Sequence, residues 1–111
     1  MSSFLLKGGN MIVIDHPIIL DKDTTFDGDV RVSGSIVGGD YILTVKGELI
    51  CESGIHGKEI IVRELNVSGD VHAGLIVAQK ASARDFIGGT LIAEEIVGQT
   101  RKMWRVKKIE W

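Results

Sequence analysis

A short internal repeat constrains this chain more than any other feature of its sequence. Residues 29–36, 48–55 and 64–71 each begin with an acidic residue, carry apolar residues at their second, fourth and last positions, and contain a Ser-Gly pair near their end. A weaker copy follows at 80–87, so the spacing between copies shortens after the first one and then stays constant. Helical repeats have periods of roughly 33 to 47 residues, so units of less than two-thirds that length indicate stacked strands.

The apolar residues inside the copies recur at every second position. From Thr25 onward, Phe26, Val30 and Val32 share one parity, while Asp27 and Asp29 lie on the other. Alternation with a period of two is typical of a strand with one buried face. The 14 glycines suit corners and tight turns better than helices. The sequence therefore predicts an all-β, single-stranded parallel β-helix, with roughly 16–19 residues and three short strands per coil.

The pattern divides the chain into three parts. Residues 1–24 are expected to form a leader and the first strands or cap, and residues 25–98 the solenoid body. Residues 99–111 are expected to form a basic closing segment, which contains both tryptophans, Trp104 and Trp111.

Composition restricts the partners and the compartment. A net charge of -2 gives no general attraction to nucleic acid, and the single cysteine excludes an intrachain disulfide. The apolar run Phe4-Leu5-Leu6 is too short for a signal peptide or a membrane span. We expect a cytoplasmic protein whose main partner is itself, with association of the leader with a membrane surface as an open alternative.

Few residues suggest chemistry. His56 and His72 occupy equivalent positions of successive copies, so stacked coils would place them on neighbouring turns, with Asp70 on the same side. Imidazole metal sites normally need a third ligand, and the next copy offers Gly88 at this position. Cys51 falls in an apolar column and is interpreted as a small core residue. The sequence predicts no catalytic residue, no metal site and no cofactor.

Two apolar columns lie side by side after the corners of the repeat. Ile60, Ile76 and Ile92 are evenly spaced along the chain and are expected to stack inside the coil. Adjacent residues of a strand face opposite sides, so the neighbouring column would form an outer stripe. We predict that self-association uses this stripe and the apolar residues of the two terminal segments: Ile61, Val77, Ala93, Trp104, Trp111, Phe4, Leu5 and Leu6.

The repeats resemble those of a known family. Val-Ser-Gly-Ser-Ile at 32–36, Val-Ser-Gly-Asp-Val-His-Ala-Gly at 67–74 and Phe-Asp-Gly-Asp-Val at 26–30 are similar to the coils of bactofilins, which are polymer-forming bacterial cytoskeletal proteins. The resemblance covers about residues 25–97 and implies a right-handed parallel β-helix that assembles end to end without a nucleotide. It implies a structural protein and not an enzyme.

Two alternatives remain open. Apolar residues six apart between Val37 and Val67 also fit a left-handed hexapeptide acyltransferase, in which His56 or His72 would serve as the general base. That phase is lost beyond Ala73. A small β-helix that serves as a binding or fibre module is the other alternative. The expected function is a non-enzymatic scaffold that self-associates through its coil ends or its outer stripe.

Overall fold

The computed structural model describes residues 4–6 and 10–109, with side chains from residue 11 onward. Strands make up 81% of the described residues, which contain no helix. The parallel strands stack as a β-solenoid of about four turns, which confirms the predicted fold class. The strands are β1 (Phe4–Leu6), β2 (Asn10–Ile14), β3 (Ile18–Ile19), β4 (Thr24–Phe26), β5 (Asp29–Val32), β6 (Ile36–Cys51), β7 (Ile55–Val67) and β8 (Val71–Lys108).

Parallel pairing organises the strands into three ladders, one on each face of the solenoid. The three longest strands bend through corners, so each of them contributes a segment to every face. The first face contains β3, 36–37, 55–57 and 71–73; the second contains β4, 42–45, 59–62 and 75–77; the third contains β2, β5, 48–51, 64–67 and 80–82. Three short strands per coil are thus present, as the repeat predicts.

The repeat copies pair in the register that their spacing predicts. Leu49 lies beside Leu65, which in turn lies beside Ala81, and Val30 lies beside Leu49 on the preceding turn. Cys51 lies beside Val67. Equivalent residues of successive turns are therefore stacked directly over one another.

The stacked residues fill a core without polar side chains. Every buried side chain among the described residues is hydrophobic, and Val30, Val32 and Leu49 are almost fully inaccessible. Phe86 is the only aromatic residue in this buried set. Each fully buried Val, Leu or Ile contributes about 1.5–3 kcal/mol. The coil is therefore held together by columns of aliphatic contacts and by the backbone hydrogen bonds of the three ladders.

The sequence predicted Ile92 inside the coil and Ala93 on the outer stripe. This assignment was wrong, because the last turn is one residue shorter than the turn before it. Gly88 lies over Ala73 and Gly98 lies over Ala83, whereas the earlier spacing would place Gly89 over Ala73. A Cβ on Gly88 or Gly98 would collide with the carbonyl oxygen of the alanine beneath it. Both glycines have a φ of 131°, which residues with side chains rarely adopt.

The shorter turn reverses the facing of the segment that follows. Ala93 is fully buried together with Leu91, whereas Ile92 is only half-buried. The stacked column therefore runs from Ile60 through Ile76 to Leu91, and Ala93 belongs to the core and not to an outer stripe.

The terminal strands join the same ladders. The antiparallel strand β1 pairs with β2, and β2 pairs in parallel with β5. The expected boundary at residue 24 falls inside β4, and β8 continues across residue 98 to Lys108. The backbone amide of Ile109 donates to the carbonyl of Ala93 at 2.9 Å, so the last segment runs beside the second face.

Two neighbouring residues on opposite sides of one strand test which side of that strand is buried. Val67→Asp is expected to unfold the protein, because Val67 is buried and an unpaired buried carboxylate costs several kcal/mol. Asn66→Asp is expected to change the free energy of unfolding by no more than about 0.5 kcal/mol, because Asn66 is exposed. Urea denaturation followed by circular dichroism measures both variants. Equal effects would show that the strand faces are assigned incorrectly.

Candidate functional site

An open groove lies where the third face turns into the first. Two Ser-Gly corners, at Ser53-Gly54 and Ser68-Gly69, line it, and its volume is about 630 Å³. Glu52, Asp70 and Arg84 supply its charges, and His56 and His72 border it. The repeat positions these groups, because equivalent corners of successive turns lie side by side.

The two histidines are adjacent, as the sequence predicts. His56 pairs with His72 in the first ladder, and their ring centroids are 4.7 Å apart in an edge-to-face arrangement. Both side chains are exposed, and the described hydrogen bonds include none to either imidazole. Among the described residues, no group of three or more His, Cys, Asp or Glu could hold a metal ion.

Asp70 is held by an arginine of the following turn. Arg84 donates from Nε to Oδ1 and from Nη2 to Oδ2 of Asp70, both at 3.0 Å. This bidentate pair holds the pKa of Asp70 below its usual value, chiefly through the hydrogen bond and secondarily through the positive charge. The partner of Arg84 in this ion pair therefore lies on the preceding turn. The carboxylate beside the histidines is therefore already engaged.

Cys51 is a core residue, as its apolar column predicts. Its side chain is fully buried, and its thiol lies 3.3 Å from the carbonyl oxygen of Gly34. Burial is the main cause that raises the pKa of this thiol. A protonated, inaccessible thiol is a poor nucleophile.

The most exposed of the large apolar side chains that the structure describes lie near the two ends of the solenoid. Trp104 is 77% exposed and Ile19 is 76% exposed, the highest values among the large hydrophobic residues described. Ile19 lies in the first turn and Trp104 in the last part of β8. The sequence identified Trp104 as a candidate association residue but not Ile19. Ile19 is exposed because it is the outward-facing residue of the two-residue strand β3, which follows Pro17.

The predicted outer stripe is present but only partly exposed. Thr44, Ile61 and Val77 follow one another in the second ladder; Ile61 is 36% exposed and Val77 is half-buried. Ile92 lies on the outer side of this strand, in the stripe position that was predicted for Ala93. The structure describes the backbone of Phe4, Leu5 and Leu6 in β1 but not their side chains, and Trp111 lies outside the described residues.

No family model, curated protein or solved structure matches this chain. The described residues contain no helix with the length and apolar character that a membrane crossing requires.

The Asp70–Arg84 pair gives the groove a measurable pH dependence. The pKa of Asp70 is expected below the ordinary value for an aspartate, and is expected to rise toward that value in Arg84→Gln. Because the pKa is lowered in the folded state, the pair stabilises the protein at neutral pH, and this contribution disappears as the pH falls through the pKa of Asp70. Carboxyl ¹³C NMR titration measures the shift.

Arg63→Gln is the matched control, because Arg63 lies beside Glu64 and not beside Asp70. An ordinary pKa for Asp70 in the unmodified protein would contradict the pairing.

Proposed function

We propose that this protein is a non-enzymatic scaffold that self-associates end to end. The observation that carries the proposal is the position of Ile19 and Trp104, the two most exposed large hydrophobic side chains among those that the structure describes, in the first turn and in the last strand. Exposed apolar side chains of this size favour a protein contact, and an unpaired strand edge beside them adds backbone groups that a partner strand can pair with.

Strand edges at both ends support the same contact. Among the described strands, β3 and β4 each pair on one side only, with β6. At the other end, the segment that reaches Ile109 hydrogen-bonds to Ala93 on one side. An unpaired edge presents backbone donors and acceptors to another strand, and a second copy offers the same parallel geometry that joins turns within one chain.

The ends are better suited to association than the outer stripe. Ile61 and Val77 are no more than about one-third exposed, so a partner on this stripe would gain little additional apolar burial there. We therefore assign the stripe a secondary, lateral role.

The side chains that line the groove give little support for a catalytic role. A general base is normally oriented by a neighbouring group, whereas both imidazoles here are exposed and the nearby carboxylate of Asp70 is held by Arg84. We thus propose no reaction at His56 or His72. The resulting scaffold is bactofilin-like in kind, cytoplasmic, and composed of repeated copies of one chain.

Trp104→Ala tests the proposal. The unmodified protein is expected to form particles that grow with concentration, and Trp104→Ala is expected to weaken their assembly about tenfold or more, because it removes a large apolar contact. Light scattering and electron microscopy over a concentration series measure the assembly. Tyr41→Ala is the matched control, because Tyr41 is also an exposed aromatic residue but lies in the body of the solenoid.

A protein that remains a monomer at every concentration would refute the proposed function. Pelleting with vesicles that contain an anionic lipid is a separate arm of the experiment. Binding of monomers to these vesicles would favour a membrane-binding module instead, since Trp104 is surrounded by basic residues.

A further inference from the structure

We infer that the copies associate head to tail, with the acidic first turn of one copy against the basic last segment of the next. This inference rests on the self-association proposed for the chain and adds a polarity to it. The second copy is the partner, because the two ends of one chain carry opposite charge.

The first turn of the solenoid is acidic. Five aspartates lie between residues 10 and 29, where the only Lys or Arg is Lys22; Arg31, further along β5, pairs with Glu52 of the next turn. They occupy the corners that follow β2, β3 and β4, together with the start of β5: Asp15, Asp21, Asp23, Asp27 and Asp29.

Three of these aspartates have partners on the next turn. Asp23 and Asp29 accept hydrogen bonds from backbone amides, at 2.9 and 2.8 Å, and Asp27 lies 3.3 Å from the ammonium of Lys46. Asp15 and Asp21 are exposed and take part in none of the described hydrogen bonds or ion pairs. Their charges are available to a partner.

The last segment carries the opposite charge. All five basic residues between 99 and 109 are exposed, and the same range contains no acidic residue: Arg101, Lys102, Arg105, Lys107 and Lys108. The described ion pairs include none of them, although the guanidinium of Arg105 lies 5.2 Å from the Trp104 ring centroid. Glu110, the next residue in the sequence, reduces the positive excess to four.

These charges favour one orientation of two copies. Contact between two first turns, or between two last segments, would bring like charges together, whereas contact between unlike ends pairs acidic with basic residues. Neighbouring strands lie about 4.8 Å apart, well inside the screening length of about 10 Å at 0.1 M salt, so charges at a direct contact are not fully screened.

The exposed apolar residues fit the same orientation. Ile19 lies at the acidic end and Trp104 at the basic end, so a head-to-tail contact brings both to one interface. A head-to-tail contact of identical chains does not close on itself unless its rotation forms a ring, and it therefore extends into a filament.

Charge reversal at each end tests the polarity. One variant carries Asp15→Lys and Asp21→Lys, a second carries Lys107→Glu and Lys108→Glu, and a third carries all four changes. Sedimentation velocity at low ionic strength measures the association, and circular dichroism verifies that each variant is folded. Each single-end variant is expected to associate roughly tenfold more weakly, and the four-fold variant is expected to recover the original association.

The outcomes separate this inference from the proposed function. Single-end variants that associate like the unmodified protein, or a four-fold variant that does not recover, would overturn the head-to-tail polarity while self-association stands. An unmodified protein that does not associate would remove both.

Disulfide trapping gives the orientation directly. Asp21→Cys and Lys107→Cys place one thiol at each end, and the native Cys51 does not compete because it is fully buried. Head-to-tail association predicts that mild oxidation yields cross-linked dimers mainly when the two variants are mixed. Equally efficient cross-linking of either variant alone would contradict it.

Discussion

Parallel pairing between successive turns is the interaction on which the rest of this structure depends. A backbone that coils at short, nearly regular intervals satisfies its hydrogen bonds with the next turn, and the same pairing places aliphatic side chains in columns. Leu49 over Leu65 and Ile60 over Ile76 illustrate both consequences. A core of this kind is filled mainly by aliphatic side chains, with Phe86 buried in it and Phe26 packed against it, which agrees with the low aromatic content of the sequence.

The same stacking explains where the surface features occur. Equivalent corners lie side by side, so His56 meets His72, and Asp70 lies within reach of Arg84 on the following turn. Stacking also leaves an unpaired edge at each end of a ladder, and the exposed Ile19 and Trp104 lie near those edges. The groove and the ends are therefore consequences of one repeat, although only the ends combine apolar exposure with opposite charge.

Much of the fold could be predicted from the sequence, because period-two alternation and a regular repeat spacing determine the strand faces together. Leu49, Leu65 and Cys51 are where that pattern places them. The pattern failed after Arg84, since Phe86 and Ile87 are both apolar and either could continue the column of Val71. The structure places Phe86 inside, which shortens the turn and moves Ala93 into the core. Trp104 could be chosen as a candidate association residue from the sequence because it is a large aromatic residue in a terminal segment. The exposure of Ile19 could not be predicted, because it depends on how the first turn is placed in the fold.

The central claim is that residues of successive turns are stacked in parallel register. Amide-to-amide nuclear Overhauser effects in a uniformly labelled sample measure this most directly, because neighbouring strands lie about 4.8 Å apart. The structure predicts cross-strand contacts around Leu49 and Leu65, around Ile60 and Ile76, and around His56 and His72. A spectrum with sequential helical contacts in this region, or with no contacts between these pairs, would contradict the solenoid and the functional proposals built on it.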